Sequence, residues 1–198
     1  MGTQVDFDAG LVAGLREDDP AAAVRLVERY GERVYRLAAR ITGTRDDAED
    51  AAQSALTTAV RTIDELRSDS SLGSWIDRLA ASAAYRKLLA RSGSPTNFAL
   101  DDVLPPLDGA GRHFEPMNDW SGRIGAWDAQ GDLRQIVTGA VDALPPECRV
   151  SLILHDVEGM SKSDIAEVLG IDPGAVRARL HQARLFLRKR LSDHFESA

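Results

Sequence analysis

Apolar residues recur along most of the chain at spacings of three and four positions, the period of an α-helix that buries one face. No segment alternates apolar and polar residues convincingly, as a half-buried strand would. In the first half, the pattern predicts four helices, of which the third has an unbroken apolar stripe along its length. These predicted helices cover about residues 20–30, 32–42, 46–65 and 72–90.

Single residues predict where two of these helices begin and end. Asp19 can accept hydrogen bonds from the first backbone N–H groups of a helix, and Pro20 suits the first helical position because its ring already holds the required φ. Gly43 predicts the end of the 32–42 helix, since glycine readily adopts the left-handed conformation that commonly terminates a helix.

The helical period is lost over residues 92–131. This segment holds four of the eight prolines and six of the sixteen glycines, and it is acidic. A stretch of that length without secondary structure is uncommon inside one compact domain. The sequence therefore predicts an all-α protein with two small helical domains, residues 1–92 and 132–198, joined by a long flexible linker over 93–131.

A helix-turn-helix pattern lies in the predicted second domain. Ser161 and Asp164 have the spacing of an N-terminal capping box, and Gly170 can end that helix in a left-handed conformation. Asp172 can cap a second helix, with Pro173 in its first turn. The pattern favours a DNA-binding helix-turn-helix, and a helical hairpin with a merely solvated basic face is the alternative.

The second helix of this pattern has an apolar stripe and a basic arc. Residues 172–191 carry six Arg or Lys against one acid, although the whole chain has a net charge of −7. Such a helix fits the major groove of DNA, where Arg and Gln reach base edges and further cations meet phosphates. The stripe consists of Val176, Leu180, Ala183, Leu187 and Leu191, and the arc consists of Arg177, Ala178, His181, Gln182, Arg184 and Arg188.

The composition argues against several other classes of protein. No apolar run approaches a membrane span and residues 1–10 lack a secretion-signal pattern, so we expect a cytoplasmic protein without membrane contacts. The single Cys148 cannot form an internal disulfide, and no His or Cys spacing indicates a metal site. There is no phosphate-binding loop and no nucleophile beside a base, so we expect neither catalysis nor a cofactor.

Two long stretches resemble the bacterial extracytoplasmic-function sigma factors. Residues 143–191 (ALPPECRVSLILHDVEGMSKSDIAEVLGIDPGAVRARLHQARLFLRKRL) are similar to the C-terminal promoter-binding domain of that family. Residues 22–92 (AAVRLVERYGERVYRLAARITGTRDDAEDAAQSALTTAVRTIDELRSDSSLGSWIDRLAASAAYRKLLARS) are similar to its N-terminal domain. The resemblance implies a transcription initiation factor that binds core RNA polymerase and promoter DNA under the control of an anti-sigma factor.

The resemblance places a polymerase-docking helix in the first domain. In the family, a helix bearing Asp-Ala-Glu-Asp and a following Gln binds the clamp helices of the largest polymerase subunit, and the flap is a further contact. Polar residues off the apolar stripe are available to such a partner, although a plain solvated helix face is the alternative. The implied docking residues are Asp47, Glu49, Asp50, Gln53 and Arg61.

The resemblance also implies a segment that reads the −10 promoter element and holds an extruded base. In a polar loop, hydroxyls and amides can read base edges of single-stranded DNA, cations can follow its phosphates, and an aromatic ring can stack. For the tryptophan, a place in the core is the alternative. The matching residues are Arg67, Ser68, Asp69, Ser70, Ser71, Ser74, Trp75, Arg78 and Arg86.

For the −35 element, the resemblance implies contacts from the helix-turn-helix. His155 and Lys162 match positions on neighbouring helices close to the phosphate backbone. On the second helix, the implied contacts are Arg177, Ala178, Arg179, His181, Gln182 and Arg184.

The first domain departs from the family pattern at several positions. These departures keep open a degenerate sigma-like protein that binds polymerase without opening promoters, and a free-standing helix-turn-helix regulator is a further alternative. The departures are Ser54, Ala55 and Leu56 after the docking motif, Val60 in place of a usual Trp, Asp77 where an aromatic is frequent, and Ser82 where Asn is frequent.

The linker has two interpretations. The resemblance implies a path toward the polymerase active-site cleft and the RNA exit path, where acidic and aromatic residues would mimic nucleic acid among basic walls. A plain flexible tether is the alternative. The linker aromatics are Phe98, Phe114, Trp120 and Trp127.

Overall fold

The structure, a computed structural model, describes residues 2–66, 71–92 and 132–197. Within these ranges the chain is helical and contains no strand, which confirms the predicted all-α class. It divides into two compact units, one built mainly from helices before residue 93 and one built mainly from helices after residue 131. The predicted linker lies outside the described residues, and the exact domain boundaries stay predictions.

Eight α-helices lie in the described residues, and none of them is long and apolar enough to cross a membrane. A 3₁₀ turn follows the third helix and a π-helical turn follows the sixth. The helices are α1 (Gly2–Arg16), α2 (Pro20–Thr42), α3 (Arg45–Arg61), α4 (Leu72–Ser92), α5 (Asp132–Asp142), α6 (Pro146–Leu152), α7 (Lys162–Leu169) and α8 (Pro173–Ser197).

The first unit is built around α2, α3 and α4, each of which packs against the other two. Helix α2 is continuous, so the prediction of separate helices over 20–30 and 32–42 is wrong. A glycine inside a helix costs only about 1 kcal/mol relative to alanine, and burial on both sides of Gly31 outweighs that cost. The buried residues of α2 include Leu26, Tyr30, Val34, Leu37 and Ile41.

The predicted ends of α2 are confirmed. The Asp19 carboxylate accepts a hydrogen bond from the Ala21 N–H at 2.9 Å, and Pro20 is the first residue of the helix. At the other end, Gly43 has a φ of 72° and donates its N–H to the Ala39 carbonyl. The left-handed conformation at Gly43 therefore turns the chain into α3.

Helix α3 ends earlier than the predicted residue 65. Its last turn closes at Arg61, and the Thr62 N–H bonds to the Thr58 carbonyl at 2.9 Å. The 3₁₀ turn Ile63–Glu65 then follows, and Ile63 and the adjoining Leu66 are buried. The apolar pattern continues past Arg61 because this tighter turn still faces the core.

Helix α1 is absent from the sequence prediction. Its segment contains Gly10 and Gly14, which weaken helix propensity and shorten the apolar stripe. Leu11 and Leu15 are nevertheless buried where α1 packs on α2. A Cβ atom at position 14 would lie 3.0 Å from the Ala22 Cβ atom, so glycine permits the close approach of the two helices.

The second unit buries residues of α6 against α8, with α5 also packing on α8. Helix α6 continues into the π-helical turn Ile153–Val157, in which the Glu158 N–H bonds to the Ile153 carbonyl at 3.0 Å. The wider turn leaves Val157 at the surface, although its spacing continues the apolar pattern of the buried Ile153 and Leu154. The core includes Leu144, Cys148, Leu152 and Ala183, with Val141, Phe186 and Leu187 packed against it.

Candidate DNA-binding and docking surfaces

Helices α7 and α8 form the predicted helix-turn-helix. The Ser161 hydroxyl accepts a hydrogen bond from the Asp164 N–H at 3.1 Å and donates one to the Asp164 carboxylate at 2.6 Å. Gly170 ends α7 with a φ of 65°, and the Asp172 carboxylate accepts from the Gly174 N–H at 2.6 Å. Both helices are therefore capped where the sequence predicts, and the turn between them is short.

The apolar stripe and the polar arc of α8 lie on different faces. Gln182 is half-buried, and its Oε1 atom lies 3.8 Å from the Cys148 thiol, so this side chain reaches partly into the unit. Burial raises the pKa of Cys148 and keeps this thiol protonated near neutral pH. The exposed members of the arc include Arg177, Ala178 and His181, and the stripe buries Val176, Leu180 and Ala183.

Arg179 does not belong to the exposed arc. Its Nη2 atom lies 2.7 Å from the Glu147 carboxylate on α6, and only 17% of its side chain is exposed. Arg179 lies two residues after Arg177, and a rotation of about 100° per residue turns its side chain away from the exposed arc and toward α6. The pair joins α8 to α6 and leaves Arg179 less accessible than Arg177, so its contact with DNA stays a prediction.

Asp156, in the π-helical turn, joins two of the residues implied in −35 contacts. The Arg184 Nη2 and Nε atoms lie 2.7 and 3.3 Å from its carboxylate, and the His155 Nδ1 atom lies 2.6 Å away. The hydrogen bond from Arg184, followed by that from His155, lowers the pKa of Asp156. Lys162, the first residue of α7, is exposed.

The three carboxylates implied in polymerase docking are paired with cations of the first unit. Two of the pairs join α3 to α4, and the third lies along α3. Such surface pairs contribute about 0–1 kcal/mol each, so a partner can compete for them. The pairs are Asp47–Arg91 at 3.0 Å, Asp50–Lys87 at 2.8 Å and Glu49–Arg45 at 2.6 Å, and the implied Gln53 and Arg61 are exposed.

Arg91 closes one end of the first unit. Its Nη2 atom donates to the Thr42 carbonyl at 2.9 Å, and its Nη1 atom contacts the Thr44 hydroxyl at 3.2 Å and Asp47. One guanidinium thus binds the turn between α2 and α3 from the last turn of α4. Asp47 is consequently less exposed than Asp50, whose side chain is 62% exposed.

The implied −10 segment is partly described. Residues 67–70, which include Arg67, Ser68, Asp69 and Ser70, lie outside the described residues. Ser71 caps α4, since its Oγ atom accepts from the Ser74 N–H at 3.2 Å and lies 2.7 Å from the Ser74 hydroxyl. These two hydroxyls are exposed at the start of the helix.

The remaining −10 residues divide between core and surface. Trp75 is only 8% exposed, so little of its surface is available for base stacking. Arg86 is exposed and donates to the Ser82 hydroxyl at 3.0 Å, and Arg78 is half-buried. The core interpretation therefore fits Trp75, while Arg86 remains accessible to a phosphate.

Comparison with known proteins gives both units a family. The family model for Sigma-70 region 2 matches residues 26–93, and that for Sigma-70, region 4 matches residues 134–187. The ECF RNA polymerase sigma factor SigE of Mycolicibacterium smegmatis is 32% identical over 169 residues, which cover 85% of this chain and 61% of that relative. The chain belongs to the extracytoplasmic-function sigma factors.

Two further comparisons agree with this assignment. The ECF RNA polymerase sigma-E factor of Haemophilus influenzae is 28% identical over 188 residues, covering 93% of this chain and 95% of the relative. The solved structure of the sigma factor RpoE in complex with the anti-sigma factor NepR from Bartonella quintana has a TM-score of 0.53 and 20% identity, and covers 83% of this chain and 93% of that one. At that identity the likeness concerns the fold alone.

One departure of this sigma factor from its family pattern has a structural partner. Asp77 on α4 is buried, and its carboxylate receives two hydrogen bonds from the Arg33 guanidinium on α2. A buried carboxylate is stable when it is paired and hydrogen-bonded in this way. Asp77 thus serves the packing of the first unit.

The pairings of four side chains that hold these surfaces together were not predicted from the sequence. Arg33 and Asp156 gave no local signal for their pairs with Asp77 and Arg184, because those partners lie far away in the sequence. Lys87 and Arg91 are four residues apart on α4, and they oppose acids three residues apart on α3. Matching spacings on two neighbouring helices would have been a usable signal. The four residues are Arg33, Lys87, Arg91 and Asp156.

Proposed function

We propose that this sigma factor directs core RNA polymerase to specific promoters and starts transcription there, acting in the cytoplasm and without catalysis of its own. The observation that carries the proposal is the presence of both sigma regions, in order, in one chain. The relatives named as ECF RNA polymerase sigma factors support it.

The second unit would bind duplex DNA at the −35 element. Helix α8 exposes Arg177 and His181 at its N-terminal end, the part of a recognition helix that contacts base edges. Ala178 between them leaves room for close approach, and the half-buried Gln182 borders the same arc. Lys162 and Arg184 would bind phosphates on either side.

The first unit would dock on the clamp helices of the largest polymerase subunit through α3, and the flap would be a further contact. Asp50, Gln53 and Arg61 are exposed and supply an acceptor, an amide and a cation. Asp47 and Glu49 border them, and all three carboxylates are already paired within the unit. The clamp would then exchange weak internal pairs for contacts of its own.

Opening of the −10 element would follow from binding the opened product. The segment over residues 67–74 carries hydroxyls that can read base edges, and Arg86 can bind a phosphate. Because single-stranded DNA with an extruded base would be bound and duplex would not, melting needs no bond chemistry. Trp75 would support the start of α4 from the core.

The overall charge of the chain restricts free DNA binding. Phosphates repel a net charge of −7, which opposes the attraction of the basic arc on α8. Promoter binding would therefore require docking on the polymerase first. Little specific affinity is expected for the pure full-length chain at moderate salt.

Control by an anti-sigma factor completes the proposal. The structural neighbour RpoE is bound to such a protein, NepR. An inhibitor that covers the exposed faces of α3 and α8 would block polymerase and promoter together. Co-purification from cells with the chain as bait, and release of transcription when the captured protein is removed, tests this part.

Reconstitution with core polymerase tests the proposal as a whole. The full-length chain should co-elute with core enzyme and should support run-off transcription that core alone does not. A free-standing regulator would bind DNA without core, and would give neither result.

The degenerate alternative differs in promoter opening. A fluorescent base analogue in the −10 strand should brighten when holoenzyme binds, because the base leaves the stack. Co-elution with core but no fluorescence change would favour a polymerase-binding protein that does not open promoters.

A further inference from the structure

We propose that Asp156 is a positioning residue for −35 binding, which holds Arg184 and His155 in the place from which they reach the phosphate backbone. The proposal rests on the proposed function, because it assigns a role within the same DNA-binding unit. The family resemblance implies contacts from Arg184 and His155 and assigns nothing to the carboxylate between them.

The geometry fixes Arg184 in two directions. Its Nη2 and Nε atoms both face the Asp156 carboxylate, at 2.7 and 3.3 Å, so the plane of the guanidinium is set as well as its position. The side chain is still 53% exposed, which leaves its remaining N–H groups open to a phosphate. The same hydrogen bond raises the pKa of Arg184 and keeps the group charged.

The π-helical turn brings the carboxylate to this position. Its extra residue per turn places His155 and Asp156 beside α8, and the His155 Nδ1 atom lies 2.6 Å from the carboxylate. Asp156 lines one groove with His181, Arg184 and Arg188. These three side chains are spaced at three and four residues, so they follow one face of α8.

Positioning explains why an acid lies among groups that meet phosphates. A carboxylate there repels DNA, but it also removes rotamer freedom from a long cation before binding. An arginine that is already held loses less conformational entropy when it contacts a phosphate. The arrangement favours DNA whose phosphates lie within reach of the held Arg184 side chain. The negative charge of Asp156 also weakens the sequence-independent attraction between this surface and DNA.

The unit contains a matched control pair. Arg179 on α8 and Glu147 on α6 also join two helices of this unit, with the Arg179 Nη2 atom 2.7 Å from the Glu147 Oε2 atom. Their side chains are only 17% and 25% exposed and lie off the exposed arc. Because this pair is more buried than Arg184–Asp156, breaking it should disturb the packing of α8 at least as much, without touching the proposed phosphate contacts.

The test uses core polymerase reconstituted with the full-length chain. The wild-type holoenzyme first selects a −35 block from a randomised library of duplexes. Holoenzyme affinity is then measured, over a series of salt concentrations, for the selected duplex and for a duplex with a scrambled −35 block. The variants are Asp156→Ala, Asp156→Asn, Arg184→Ala, Asp156→Ala with Arg184→Ala, and Glu147→Ala. Thermal unfolding of each chain is measured in parallel.

Coupling between the two residues is the expected result. Asp156→Ala and Arg184→Ala should each weaken specific binding about three- to tenfold, and the double variant should be no weaker than Arg184→Ala alone. Each should lower the slope of log affinity against log salt by about one. Asp156→Asn keeps one acceptor and should be intermediate, and Glu147→Ala should leave the slope unchanged.

Two outcomes would overturn the inference while the proposed function stands. Additive losses in the double variant would mean that Asp156 acts independently of Arg184. A gain in specific affinity on Asp156→Ala would mean that the carboxylate only repels DNA. If the wild-type holoenzyme selects no −35 sequence at all, the proposed function fails, and the inference fails with it.

Discussion

Arg33 on α2 binds the Asp77 carboxylate on α4 through both its Nε and Nη2 atoms, with Nε 2.9 Å from Oδ1. The Asp77 side chain is 9% exposed, whereas half of the Arg33 side chain reaches solvent. The carboxylate is therefore the partner that depends on the pair, since a buried charge without its counter-ion is costly. The pair joins two helices of the unit to which we assign polymerase docking and the −10 element.

Removing Arg33 should therefore cost more than neutralising Asp77. Arg33→Ala should lower the free energy of unfolding by about 1–3 kcal/mol, because it leaves a buried carboxylate without its main donor. Asp77→Asn should cost less, since the amide still accepts a hydrogen bond. Urea unfolding measures both, and Arg36→Ala is the control because its pair with Glu32 is exposed. Equal costs for Arg33→Ala and Arg36→Ala would contradict this role.

Asp50 and its partner Lys87 separate a docking role from a structural one. Asp50→Ala should weaken binding to core polymerase at least about fivefold, because roughly one charge-assisted hydrogen bond is lost. The selectivity for the −35 sequence should stay intact. Lys87→Ala breaks the same internal pair but frees the carboxylate, so core binding should be unchanged or slightly tighter. Affinity for core is measured by fluorescence anisotropy of the labelled chain. Equal losses of core affinity in both variants would show that the pair acts by stabilising the unit and that Asp50 does not contact the polymerase.

Two glycines of α1 test the close approach to α2. Gly14→Leu should lower the free energy of unfolding by about 1–3 kcal/mol, because its side chain meets Ala22. A Cβ atom at position 10 would meet no packed neighbour among the described residues within 4 Å, so Gly10→Leu should raise stability by up to about 1 kcal/mol. Thermal unfolding compares the two. Similar behaviour of both variants would mean that α1 does not pack where the structure has it.

Two arginines of α8 should differ in what they contribute to promoter binding. Arg177→Ala should cost about 1–3 kcal/mol on the selected −35 sequence and relax the preference at one base pair. Arg188→Ala should weaken binding about equally on selected and scrambled duplexes, because a phosphate contact is blind to sequence. Holoenzyme binding to both duplexes measures this. Uniform weakening by Arg177→Ala would show that it meets phosphates instead of bases.

Local signals account for what the sequence predicts well. Helix ends at Asp19, Gly43, Ser161 and Gly170 depend on side chains and backbone preferences within a few residues, and all four lie as expected. Continuity of α2 through Gly31 is different, because it depends on packing against α3 and α4. Propensity alone places a break there.

Partners distant in the sequence account for what the prediction misses. The periodicity of α8 distinguishes buried from exposed positions, but it does not reveal that Arg179, on the flank, finds Glu147 on α6. Likewise, the π-helical turn shifts Val157 outward and Asp156 toward Arg184. No residue pattern in that segment predicts the additional residue that widens the turn. The assignments of single residues to DNA or polymerase stay predictions.

Whether this chain selects promoters for the polymerase is measured by transcription of genomic DNA with core enzyme, with and without the full-length chain, followed by mapping of the 5′ ends of the transcripts. New start sites should appear only with the chain, should share one −35 and one −10 sequence block, and should be used less with either Asp50→Ala or Arg177→Ala. Start sites identical to those of core polymerase alone would show that the chain does not direct initiation.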